Sequence, residues 1–204
     1  MVHASELMAY EDKLRAEGCA YICGVDEVGR GPLAGPVTCA AVIMPLDALI
    51  EGVNDSKKVS KKKRERLAEE IKKNAVAYSV VSYDNAAIDD MNILNATKEC
   101  MRDAIMSLSV TPDVVLIDAV KLDLPVRTVS VVHGDALSYS IAAASIIAKV
   151  HRDAFMAEMD EKFPGYGFSR NAGYGTAEHI AALKSLGATP IHRRTFIKNF
   201  VEAE

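Results

Sequence analysis

The chain of 204 residues has no tryptophan, and aromatic residues make up only 6% of it. Long apolar runs are missing as well: none approaches the ~18 residues that a membrane-spanning helix needs. The opening residues Met1-Val2-His3-Ala4-Ser5-Glu6 lack the basic and apolar regions of a secretion signal. A cytoplasmic protein with no membrane partner is therefore expected. Cysteine is sparse. Cys19, Cys23, Cys39 and Cys100 are scattered, which excludes a disulfide scaffold and suggests reduced, buried thiols. Compositional bias, repeats and linkers are also absent, so a single domain over residues 1–204 is the economical reading, with a monomer as the default.

What is present is a chain that is half hydrophobic, enough for one sizeable core. The net charge of −4 argues only weakly against a nucleic-acid binder. A metal-dependent nuclease carries its own acidic cluster, and binding depends on local positive patches rather than on the total.

Apolar periodicity predicts a helix over Ala4–Ala16, with an i,i+4 Glu11–Arg15 pair and Gly18 as its stop. Tyr21–Val25 and Val37–Met44 read as strands, and the first is apolar throughout, as expected of burial on both faces. Ser60 is placed to cap a charged helix running to about Lys73. Val76–Tyr83 is a strand of mixed pattern. Asn92–Leu108 has helical spacing, with Ile93, Leu94, Met101, Ile105 and Leu108 toward the core. Asp113–Ala119 and Val126–Val132 are further strands. A long helix is predicted from Ala136 to Phe163, ended by Pro164-Gly165. Thr176 is placed to cap a helix to about Ser185, closed by Gly187. The segment from about 165 to 204 is a helical tail that packs back through Ile191, Phe196, Ile197 and Phe200. Strands followed by alternating strands and helices imply α/β architecture: a mixed sheet of about five strands flanked by helices.

The segment Val25-Asp26-Glu27-Val28-Gly29-Arg30-Gly31-Pro32-Leu33-Ala34-Gly35-Pro36 carries the most chemistry. Two carboxylates stand where a buried strand meets a glycine turn, a position that packing explains poorly. Such acids suit a divalent metal, and an arginine between glycines suits a phosphate or a sugar. Asp118 and Asp135 also follow apolar strands, and acids at strand ends near the centre of an open α/β sheet can converge. Convergent carboxylates repel one another unless a cation neutralises them. Mg²⁺ favours oxygen ligands, and two ions about 4 Å apart suit in-line attack on a phosphodiester. Taken alone, Asp118 or Asp135 is better explained as a strand terminator or helix cap. Adjacent strand residues point to opposite faces, so Asp26 and Glu27 share a site only if the chain turns at Glu27.

Val25–Pro36 resembles the signature of the ribonuclease HII family, the type 2 ribonucleases H. The resemblance continues in Asn54-Asp55-Ser56-Lys57-Lys58-Val59-Ser60, in Leu116-Ile117-Asp118-Ala119, and in Gly134-Asp135 followed by Ser140–Asp153. It ends in Phe163–Phe168 and Gly173-Tyr174-Gly175-Thr176-Ala177-Glu178-His179. Separate motifs in register over about residues 20 to 195 identify the family.

The resemblance implies a ribonuclease-H-like fold and an endonuclease that cuts the RNA strand of RNA–DNA hybrids. It also implies incision 5′ to single ribonucleotides in duplex DNA, leaving 5′-phosphate and 3′-hydroxyl ends. Position by position, Asp26, Glu27, Asp118 and Asp135 match the catalytic carboxylates that hold Mg²⁺ or Mn²⁺, with two ions during catalysis. Gly29, Arg30 and Gly31 match the turn that reads the 2′-hydroxyl. Tyr174 matches the tyrosine that stacks on the deoxyribose beyond the junction; otherwise it is a half-buried surface aromatic. Lys57 and Lys58 are expected to contact phosphate, whereas Lys61, Lys62, Lys63, Arg64 and Arg66 fit a solvated helix face equally well. Asp153 is expected in a local ion pair with Arg152 or Lys149. His133, Leu137, Ala172 and Arg194-Thr195 depart from the common pattern. The related ribonucleases HIII carry an additional N-terminal domain, for which the early motif leaves no room, and replace the arginine turn. A noncatalytic nucleic-acid-binding module on the same scaffold would not need the acids.

Overall fold

Continuous apolar runs build the centre of the sheet. In a computed structural model, described here for residues 3–118 and 120–201, Ile22–Val28 forms β1 and Val37–Ile43 forms β2. Ala77–Tyr83, Val114–Asp118 and Arg127–Val131 form β3, β4 and β5. The strand order is β3-β2-β1-β4-β5, so β1 is central. It pairs antiparallel with β2 and parallel with β4; β2–β3 is antiparallel and β4–β5 parallel. Every residue of β2 is buried, as expected of a strand covered on both faces.

The helices are α1 (Ala9–Ala16), α2 (Lys61–Asn74), α3 (Asn85–Met91), α4 (Ile93–Met106) and α5 (Gly134–Leu137). Then come α6 (Tyr139–Lys162), α7 (Phe168–Asn171), α8 (Ala177–Leu186) and α9 (Arg194–Ile197). α4 covers one face through Cys100, Met101, Ala104 and Ile105, packed on Cys23, Val25, Cys39 and Ala41. The other face lies under α6, whose Ala142, Ala143, Ala144 and Ala148 allow close approach, and α2 joins through Leu67, Ala68 and Ile71. Burying Leu67 and Ile71 contributes roughly 3–6 kcal/mol of transfer free energy. At Gly24 the approach of α6 is so close that a Cβ would overlap the Ser140 backbone.

Several local expectations are corrected. The Ala4–Ala16 helix opens as a 3-10 turn, Ala4–Leu7, before α1. Glu11 is no surface partner of Arg15. It is fully buried and its Oε1 accepts from Ser138 Oγ (2.6 Å) and the Ser140 N–H (2.9 Å), tying α1 to the start of α6. The long helix is broken at Ser138, which is extended and caps α6 by accepting the Ile141 N–H. Ser60 precedes α2 but makes no side-chain cap, whereas Thr176 accepts the His179 N–H as expected. Leu94 is exposed rather than in the core, because Asn92 at φ 66° starts α4 after an unforeseen α3. All four cysteines are free thiols.

Candidate active site

β1 and β4 run side by side from Ile22↔Val114 to Val25↔Ile117. The next residue on each strand is an acid, so Asp26 and Asp118 stand level where the ladder ends. β4 stops there, while β1 continues to Val28 against β2 alone. This overhang opens an edge beside Asp26 and Glu27. Asp135 arrives on α5, whose first residue Gly134 donates its N–H to Asp118 Oδ1 at 2.9 Å.

The turn required at Glu27 does not occur. β1 runs straight through it, with Glu27 paired to Cys39, and the chain bends only at Gly29, φ 96°. A side chain there would meet Arg152 and the Pro36 carbonyl, so the bend is reserved for glycine. Asp26 and Glu27 therefore leave β1 in opposite directions. Yet the charge of Asp118 acts on both across the edge left open where β4 ends, so a turn is not needed for them to face one site.

The acids feel one another's charge. The Asp26 carboxyl is held well above the usual range by burial and then by Glu27, Asp118 and Asp135. Burial also raises Glu27; Arg30 counters this and Asp118 adds to it. Asp135 is raised by burial and by the neighbouring Asp55, with Lys57 opposing. Protein groups partly satisfy each acid. Asp26 Oδ1 accepts the Glu27 N–H at 2.8 Å, Arg30 lies 3.4 Å from Glu27, and Lys57 Nζ lies 3.4 Å from Asp135 Oδ2. Among the described residues, no three His, Cys, Asp or Glu side chains form a ready ligand cage. The donor set still fits a hard divalent cation: it is all carboxylate oxygen, and the repulsion raising Asp26 is what such a cation offsets. Lys57 reaches in on a side chain 82% exposed, free to withdraw without disturbing the core.

The glycine turn is held from behind by two buried arginines. Arg193 donates to the carbonyls of Gly29 (2.5 Å), Arg30 (3.0 Å) and Gly35 (2.8 and 3.0 Å). Arg152 donates to those of Pro36, Ala34 and Ala172. With carbonyls drawn inward, the exposed Arg30 and Gly31 present amide N–H groups that, among the described residues, have no acceptor. Tyr174 lies against this turn, its Cε1 3.5 Å from where a Gly31 Cβ would sit, and it is 45% exposed. The structure thus brings Gly29, Arg30, Gly31 and Tyr174 together beside the acids. Lys58 points instead to Asp55 at 3.7 Å on the surface.

Sequence reasoning missed Asp55, which is buried, accepts the Lys57 N–H at 2.9 Å and acts on Asp135. An Asp two residues before a lysine pair is an Asx-turn signal that could have revealed it. Arg152 and Arg193 carried no signal of burial. Arg152 does not pair with Asp153, which instead binds Lys149 (2.6 Å) and Arg64 (3.4 Å).

Residues 23–199 match the sequence profile described as ribonuclease HII. The chain belongs to the ribonuclease HII family. It is 56% identical over 191 residues to the ribonuclease HII of Enterococcus faecalis, covering 94% of this chain and 75% of that one. It is 51% identical over 203 residues to the ribonuclease HII of Ruminiclostridium cellulolyticum, covering 99% and 80%. The crystal structure of ribonuclease H2 from Pyrococcus horikoshii superposes with a TM-score of 0.74 at 27% identity, covering 86% and 93%. A ribonuclease HII chain is an endoribonuclease acting on RNA–DNA hybrids and dependent on divalent metal. Among the described residues no helix is long and apolar enough to cross a membrane.

Proposed function

We propose that this ribonuclease HII also incises 5′ to single ribonucleotides in duplex DNA, with Asp26, Glu27, Asp118 and Asp135 holding Mg²⁺ or Mn²⁺. The observation that carries this reading is adjacency. Asp26 and Glu27 lie on the strand that leads into Gly29-Arg30-Gly31, and Tyr174 packs on that turn. A group that cuts and a group that reads a sugar are thus only a few residues apart.

When bound, a pair of such ions would activate a water and stabilise the leaving 3′-oxygen. The chain's own residues do the selecting. The free amides of Arg30 and Gly31 can meet a 2′-hydroxyl, which alone distinguishes RNA from DNA at that point. The Tyr174 ring offers a face for the next deoxyribose, where an added hydroxyl would clash. Lys57, and Lys58 at the rim, supply phosphate contacts that position the strand without reading it. All residues 1–204 are read as one catalytic domain.

The test is a duplex DNA with one embedded ribonucleotide, incubated with Mg²⁺ or Mn²⁺ and then with EDTA. A nick 5′ to the ribonucleotide that EDTA abolishes is expected. Metal-dependent cutting of long hybrids without that nick would restrict the enzyme to hybrids and refute the proposed selectivity.

A further inference from the structure

Two buried histidines lie directly behind Tyr174. His179 on α8 is fully buried and His192 is 2% exposed. Their Nε2 atoms face each other at 3.0 Å. His192 Nδ1 receives the Thr189 backbone N–H at 2.8 Å, and that group can only donate. His192 must therefore carry its proton on Nε2. Its Nε2–H can only donate to His179, so His179 accepts at Nε2 and is protonated at Nδ1. His179 Nδ1–H then donates to the Tyr174 carbonyl at 2.9 Å. One backbone amide fixes both tautomers and directs the chain onto the residue that lies against the glycine turn.

We propose that His179 and His192 form a neutral imidazole relay that positions Tyr174, so that adding a proton to either ring loosens Tyr174. The inference rests on the reading of Tyr174 given above. The rings of Tyr166 and Phe168 pack around the pair. The titratable groups facing it are Tyr166 and the two histidines themselves. Arg193 follows His192 but turns its guanidinium to the other side, toward Gly29 and Gly35. Among the described residues, no carboxylate charge acts on either ring. Burial and the facing ring lower His192 to about 4, and burial lowers His179, so both stay neutral at physiological pH. A second proton would set two N–H groups against each other, or one against the Thr189 amide, and break the relay either way. Neighbouring residues on one extended segment thus serve two tasks: His192 steadies the tyrosine and Arg193 steadies the turn.

Two measurements test this. Nitrogen-15 spectra of the intact protein at pH 7.5 should show His179 protonated at Nδ1 and His192 at Nε2; the opposite tautomers would overturn the relay. The second reads the ratio of cuts at an RNA–DNA junction to cuts inside the RNA, which cancels any change in overall turnover. His179→Ala should lower that ratio roughly fivefold, about the net value of one hydrogen bond. His179→Asn, which keeps a donor near the Nδ1 position, should restore it, and in the wild type the ratio should fall on acidification. If Tyr174→Ala lowers the ratio while His179→Ala and acid do not, the relay is wrong. If Tyr174→Ala leaves the ratio unchanged, the role of Tyr174 is wrong and the relay falls with it.

Discussion

Lys57 Nζ lies 3.4 Å from Asp135 Oδ2, although 78 positions separate them in the chain. The ammonium stands beside an acid assigned to the metal, on a side chain that can equally turn to a phosphate. Lys57→Ala is expected to raise the KM for hybrid about fivefold with kcat little changed. The slope of log affinity against log salt should shrink by roughly 0.9 for each lost phosphate contact. Binding titrations at several salt concentrations check this, and an unchanged slope would place Lys57 outside the phosphate interface.

Asp26 is buried among like charges. Asp26→Asn keeps an oxygen for the Glu27 N–H and removes the repulsion. Hydrolysis should fall by at least about a thousandfold, the scale of losing an essential electrostatic group. Without metal the variant should be more stable, melting about 2–4 °C higher for roughly 1 kcal/mol. Thermal scans with and without Mg²⁺ check both parts; turnover near wild type would remove Asp26 from the site.

Arg193 is fully buried, and its partners are the carbonyls of Gly29, Arg30 and Gly35. Arg193→Ala leaves these buried acceptors unsatisfied and should cost at least about 3 kcal/mol. Urea unfolding at pH 7.5 measures it. A loss under about 1 kcal/mol would mean that water replaces the guanidinium at no great cost.

His192 is held at about 4, below its ordinary value. Its folded pKa is depressed, so the unfolded chain binds the proton more readily. Its share of stability is fully present above about pH 6.5 and is lost as pH falls toward 4. The raised carboxyls of Asp26, Glu27 and Asp135 act with the opposite sign. Comparing wild type with His192→Asn in urea at pH 7.5 and 5 isolates the histidine. The difference between the two proteins should narrow at the lower pH, and a constant difference would refute it.

The central strands β1, β2 and β4 were legible because each carries a short apolar run ended by an acid or a turn residue, and the acids were found by the same rule. Less legible was anything set by how far a ladder extends. That Asp26 and Glu27 flank an open edge follows from β4 ending one residue past Ile117, a long-range fact with no local sign. Glu11 with Arg15 has the spacing of a surface pair, yet tertiary contact with Ser138 and Ser140 takes the glutamate inside. Arg193 sits in a basic tail expected to pack back through Ile191, Phe196, Ile197 and Phe200. Its own burial left no sign, because only the folded turn supplies the carbonyls that make it tolerable. The family motifs marked Tyr174 but not the hydrogen bonds behind it.

The bond from Arg193 to the Gly29 carbonyl spans 164 positions. Proteins are made from the N-terminus, and early segments begin to fold first. A growing chain therefore holds all four acids once it reaches Asp135, while the glycine turn proposed to choose the phosphodiester still lacks its clamp. On the proposed assignment, discrimination is acquired after the acids are in place, and an incomplete copy would carry the proposed cation ligands with nothing to aim them.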